Sequence, residues 1–242
     1  MEFTFESYEE LLNTFFEHGY EFCQYKNIDN FEKGVILRHD IDFSPSRATK
    51  VAKIEQDMGI KSTYFILLST GFYNVFSLDV KKKIYEILNM GHQIGLHFDE
   101  QKYEMSSFNQ MKEYVYNEVG ILEKALDTKI ETVSMHRPSQ GILDASIEFD
   151  GLINSYTSKY FKEMKYLSDS RMCWRENPFS AISSGEHNKI HILTHPFWYA
   201  SQSETIQTKI KCFLDEAMRE RYDLLDKNFK NIQEYFSRED IK

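Results

Sequence analysis

The 242-residue sequence predicts an α/β fold, a (β/α) barrel of six or seven strands in a single domain spanning 1–242, on three observations. Short apolar, β-branched or aromatic runs alternate with longer segments whose apolar residues recur every three or four positions, the pattern of βαβ units around a mostly parallel sheet. Only four prolines and ten glycines occur, with no repeat and no low-complexity linker to divide the chain. Chemistry-bearing residues also stand at the C-terminal ends of several runs: Asp40 and Asp42, His97, His136 with Arg137, and His195. In a closed barrel these ends meet at one mouth, whereas the outer strands of an open sheet lie too far apart to share a site.

A first helix, Tyr8 to His18, is ended by Gly19 and leads to a short strand, Tyr20 to Tyr25. GVILRHD (34–40) is the first long strand. Ser44 and Pro45 then mark a helix start, an N-cap followed by a proline where the missing N–H costs nothing. Ala48, Val51, Ala52 and Met58 keep helical spacing until Gly59 stops it. STYFILL (62–68) reads as a strand, and DVKKKIYEILNMG (79–91) as a helix with Ile84, Ile87 and Leu88 inward. HQIGLHF (92–98) is a strand. Phe108, Met111, Val115, Val119, Leu122 and Leu126 step through another helix. IETVSM (130–135), INSYTS (153–158) and KIHILTH (189–195) are the remaining strands. The final stretch, Glu204 to Phe236, is helical by period, with Ile206, Ile210, Phe213, Leu214 and Met218 along one face.

A net charge of −9 disfavours a nucleic-acid backbone as partner, since phosphate binding wants a basic face. Cys23, Cys173 and Cys212 are scattered and form no CxxC pair, which points to reduced thiols. The opening MEFTFESYEE lacks the basic and apolar regions of a signal peptide, and no run approaches a membrane span. The expectation is a cytoplasmic globular protein; the oligomeric state is not legible.

Asp40 and Asp42 point to the same side of their strand, because side chains alternate with period two. Asp42 alone could serve as a cap for the following helix, but that role does not account for two carboxylates preceded by His39. His92 fits the helix-to-strand turn at Gly91. His195 closes a strand and is followed by Phe197, Trp198 and Tyr199, either core residues or a flat face for a sugar. Together, two carboxylates, three histidines and an arginine at successive strand ends can hold a divalent metal by mixed N/O ligation. They can also supply a base, an acid and a charge clamp.

Four motifs in this order resemble the polysaccharide deacetylase family (carbohydrate esterase family 4, NodB homology), in its divergent cytoplasmic-type branch. LRHDID stands for the Asp-bearing first motif, GHQIGLHF for the second, HRPS for the Arg-x-Pro motif and ILTHP for the late strand ending in His. The resemblance runs from Gly34 to Tyr199. It implies a distorted (β/α) barrel of seven strands and metal-dependent removal of acetyl groups from sugars. Two departures stand out: Ile41 separates the usual consecutive aspartates, and Gln101 occupies the position of a second histidine. His136 is the substitute ligand by placement.

On this resemblance Asp42 and His97, joined by His136 on its placement alone, hold a divalent metal, zinc by preference, and Asp40 is the general base, although the reverse assignment of the aspartates fits equally. Arg137 pairs with Asp40, and His195 protonates the leaving amine. Arg38, Trp174 and Trp198 are candidates for substrate contact. The implied substrate is a nucleotide-linked or lipid-linked N-acetylated sugar of a surface-polysaccharide pathway. A metal-independent C–N hydrolase acting on a small amide, and a degenerate glycan-binding barrel, are the alternative readings.

Overall fold

The computed structural model describes residues 1–241, and the chain divides into two compact units, 1–201 and from Gln202 onward. The first unit carries eight strands: β1 (Glu21–Cys23), β2 (Gly34–Ile41), β3 (Thr63–Leu67), β4 (Gln93–Phe98), β5 (Thr132–Met135), β6 (Ile153–Asn154), β7 (Lys165–Ser168) and β8 (Lys189–Thr194). Its helices are α1 (Phe5–Glu17), α2 (Pro45–Asp57), α3 (Leu78–Asn89), α4 (Phe108–Leu126), α5 (Gln140–Ala145) and α6 (Pro178–Ser183). The second unit is built on α7 (Ile206–Asn228), which Thr205 caps at its N-terminus.

All strands pair in parallel in the order β6-β5-β4-β3-β2-β8-β7, with β1 beside the first half of β2. The sheet curls into a half-barrel whose path ends at β6 and β7. Aromatic rings fill the gap between those ends: Tyr156 lies 5.1 Å from Phe161, which lies 4.8 Å from Tyr166. Strand β7 falls in a stretch where the sequence shows no alternation, and it was not anticipated.

Alternation along β2 sends its side chains to two different environments. Arg38 and Asp40 face the interior, where Arg38 lies over the rings of Phe65 and Tyr156. Gly95 on β4 makes room for this arrangement, because a Cβ there would sit 2.5 Å from the Phe65 ring and 2.6 Å from Thr132 Oγ1. His39 and Ile41 face the helices. Ile41 joins the apolar layer of Ala48, Ala52, Tyr64, Ile84, Ile87 and Leu96 between sheet and helices.

His39 meets a buried carboxylate, Glu55 of α2, at 2.7 Å. Glu55 also accepts from Tyr8 of α1 at 2.5 Å, Ser62 at 2.5 Å and Tyr64 of β3 at 2.9 Å. Burial opposes its charge, but His39, His92 and Ser62 hold its carboxyl below the ordinary range. One satisfied buried anion thus ties two helices to two strands directly behind the site.

Candidate active site

The question posed by LRHDID is what a buried Asp40 pairs with. The partner is Arg38, two residues earlier on the same face: Nε donates to Oδ1 and Nη2 to Oδ2, both at 2.8 Å. Arg38 also donates to Ser155 Oγ at 3.0 Å and to Ser134 Oγ, so four of its five N–H groups are engaged by protein. Burial penalises the carboxylate, yet Arg38 and His97 hold Asp40 below the usual range. The sequence expectation gave this role to Arg137. That residue instead has φ of 49°, a side chain 58% exposed, and a bond to the buried Asp99 at 2.9 Å, so it points away from Asp40. Arg38, expected to touch substrate, is fully buried beneath Asp40 and does not face the mouth.

Asp42, His97 and His136 converge from the ends of β2, β4 and β5. Asp42 Oδ1 lies 3.3 Å from His97 Nε2 and 3.4 Å from His136 Nδ1, and the two imidazole nitrogens are 3.1 Å apart. These separations match the edge of a tetrahedron whose metal–ligand bonds are about 2.0–2.1 Å, roughly 3.3 Å. Asp42 Oδ1 is buried without a hydrogen-bond partner, a costly arrangement unless a cation completes it. His97 Nδ1 is 3.2 Å from Ser134 Oγ; in the tautomer that donates there, Nε2 presents its lone pair to the cluster. Burial works against the Asp42 charge, but with His136 and His97 in the forms that donate to it the carboxyl is held well below the usual range. The donor set and spacing fit a divalent metal. Gln101 is exposed in the turn after β4 and stands outside the cluster.

His195 follows β8, with Nε2 3.9 Å from Asp42 Oδ2. Its Nδ1 sits 2.6 Å from Asp169, which also accepts from the His195 backbone N–H at 3.0 Å and from Tyr199 at 3.1 Å. Burial would discharge the imidazole, but Asp169 reverses the balance and raises its pKa to about 9. Asp169 escaped the sequence reading because it follows the unrecognised β7. The signal was present as a carboxylate after a strand, in SDS.

The aromatic residues behave differently from expectation. Phe197, Trp198 and Tyr199 are all buried. Trp198 packs on Phe197 and Phe43 at 5.0 and 6.2 Å between ring centroids, so it is a wall of the site region and not an open stacking face. Trp174 is half-buried in the loop after β7 and is not among the clustered residues.

No family model and no curated protein matches the chain. Solved structures do match. A CE4 esterase from Streptococcus mutans superposes with a TM-score of 0.51 at 16% identity, over 82% of this chain and 85% of that one. A family 4 carbohydrate esterase from Bacillus anthracis gives 0.45 at 16% identity, covering 89% and 86%. A CE4 family pseudoenzyme from the same organism gives 0.44 at 13% identity, covering 77% of this chain and 62% of that one. This chain therefore spans less than two thirds of the length of that pseudoenzyme. The half-barrel of this chain has the fold of the Streptococcus mutans CE4 esterase.

Proposed function

We propose that the chain is a metal-dependent hydrolase that removes an acetyl group from an N-acetylated sugar or glycan intermediate. One observation carries this reading: a carboxylate held ionised by Arg38 and an imidazole held charged by Asp169 flank the Asp42–His97–His136 triangle. The esterase whose fold it shares supports the same class of chemistry.

In this reading Asp42, His97 and His136 hold the ion, with zinc as the favoured metal. When bound, it polarises the acetyl carbonyl and lowers the pKa of water at the site. Asp40 takes the proton from the attacking water. Arg38 fixes both carboxylate oxygens and keeps the base ionised until that moment. His195, charged at neutral pH, gives its proton to the departing amine, so that amine leaves neutral and not as an anion. Asp169 keeps the Nε2–H directed into the site by holding Nδ1. Asp40 is the base and Asp42 the ligand because only Asp40 is engaged by an arginine on both oxygens.

The test is acetate release from short N-acetylated sugars by metal-loaded protein, set beside a panel of small amides. Release that a chelator abolishes supports the reading. Turnover of amides that survives chelation assigns a metal-independent C–N hydrolase, and binding without turnover assigns a glycan-binding barrel.

A further inference from the structure

We propose that the barrel flank formed by α2, α3 and the 69–77 loop docks on an anionic lipid bilayer beside the active-site mouth. The loop is built to present apolar side chains outward. Tyr73 is turned in, accepting from Leu67 N at 2.8 Å and donating to the Ile41 carbonyl at 2.7 Å, one residue before Asp42. Val75 is buried, and Asn74 closes the turn by accepting from Phe76 N at 2.9 Å. Phe72, Phe76 and Leu78 are left 54%, 59% and 67% exposed within seven residues. Scattered single apolar residues are ordinary on a surface; two phenylalanines in a pinned loop and a leucine at the start of the next helix are a patch. Phe72 stacks edge-on against Phe43, the residue after Asp42, with centroids 5.1 Å apart.

Charge selects the partner. Residues 43–92 carry seven basic side chains, Arg47, Lys50, Lys53, Lys61 and Lys81 to Lys83, against four acidic ones, while the whole chain has net charge −9. Glu55 is buried against His39, Lys53 pairs with Asp57, Lys83 pairs with Glu86 and Arg47 lies over the Phe197 ring, which leaves Lys50, Lys81 and Lys82 set against Asp79 on these helices. Helices α2 and α3 pack side by side, and Lys81 and Lys82 follow Leu78 in the first turns of α3, close in sequence to the exposed phenylalanines. Aromatic side chains that enter the interface and lysines that meet acidic headgroups are the two signals a peripheral protein needs to hold an anionic membrane. Resting on the hydrolase reading above, the substrate class that follows is an N-acetylated sugar attached to a lipid, delivered at the bilayer surface.

The experiment is flotation of the full chain with phosphatidylcholine vesicles, with and without phosphatidylglycerol. The protein should float with the phosphatidylglycerol vesicles only, and raised salt should release it. Phe72→Ser/Phe76→Ser should abolish flotation, and Lys81→Gln/Lys82→Gln should weaken it by about fivefold per lysine. Melting temperature is followed on each variant; if the phenylalanine variant melts early, the lysine variant decides. No flotation, equal flotation with neutral vesicles, or lysine-variant binding equal to the parent's overturns the proposal. Loss of retention on an immobilised N-acetylated glycan in the phenylalanine variant, without vesicle binding by the parent, assigns the patch to glycan and overturns it too. Flotation needs no acetate assay. Vesicle binding without acetate release would therefore sink the hydrolase reading alone, and acetate release without vesicle binding would sink the docking alone.

Discussion

Arg38 and Arg137 separate two roles that a motif alone merges. Removing Arg38 leaves Asp40 as an unpaired buried charge, a loss of about 3–5 kcal/mol. Arg38→Lys keeps the charge but loses the fork that engages both oxygens, so activity and melting temperature should both fall. Arg137→Lys, which keeps the charge on the exposed side of its pair with the buried Asp99, should shift stability by less than about 1 kcal/mol. Acetate assays and thermal melts on both variants check this, and the reverse ranking would restore Arg137 to the site. The Arg38 pairing was legible in principle: the period-two rule that sets Asp40 and Asp42 on one face sets Arg38 there as well. Asp169 gives a second residue-scale prediction. Its carboxylate keeps His195 charged up to about pH 9, so Asp169→Asn should leave a buried imidazole neutral at pH 7. The basic limb of the pH–rate profile should move to lower pH, with a loss of about 10²–10⁴ in turnover. An unmoved limb would remove His195 as the acid.

Strands set which of these residues meet. The helix starts and the apolar runs of β2, β3, β4, β5 and β8 were readable because their composition and punctuation agree with their burial. Strand β7 was not, because four residues flanked by SDS carry too little pattern, and its loss hid Asp169. On β4, Gly95→Ala forces a Cβ into the Phe65 ring that lies under Arg38. A cost of about 1–3 kcal/mol should appear in denaturant melts, with activity falling as Arg38 shifts. On β8, His191 is buried with Nδ1 3.0 Å from the Tyr160 carbonyl and Nε2 2.8 Å from the Tyr25 hydroxyl, so Nδ1 donates and Nε2 accepts. Burial depresses its pKa to about 3, below its value of about 6.5 in the unfolded chain. The unfolded state therefore binds the extra proton, and this contribution to stability is complete above about pH 6.5 and lost as pH falls toward 3. Unfolding measured across that window should be less acid-sensitive in His191→Gln than in the parent. Parallel curves would place the proton elsewhere.

At the scale of the whole chain, four strand ends are drawn to one mouth, and three of them supply the Asp42, His97 and His136 donors. The curled sheet makes a site from residues 94 positions apart, and the strand-end pattern that revealed it required only alternation and order along the chain. The choice of His136 over the position of Gln101 depends on the turn after β4, which carries Gln101 to the surface. The most direct measurement is titration of cobalt into purified protein, followed by calorimetry and by the ligand-field spectrum of the ion. The account predicts about one ion per chain in a four-coordinate N/O site, lost in Asp42→Ala and His136→Ala and retained in Gln101→Ala. Binding that survives His136→Ala, or no binding at all, would contradict it.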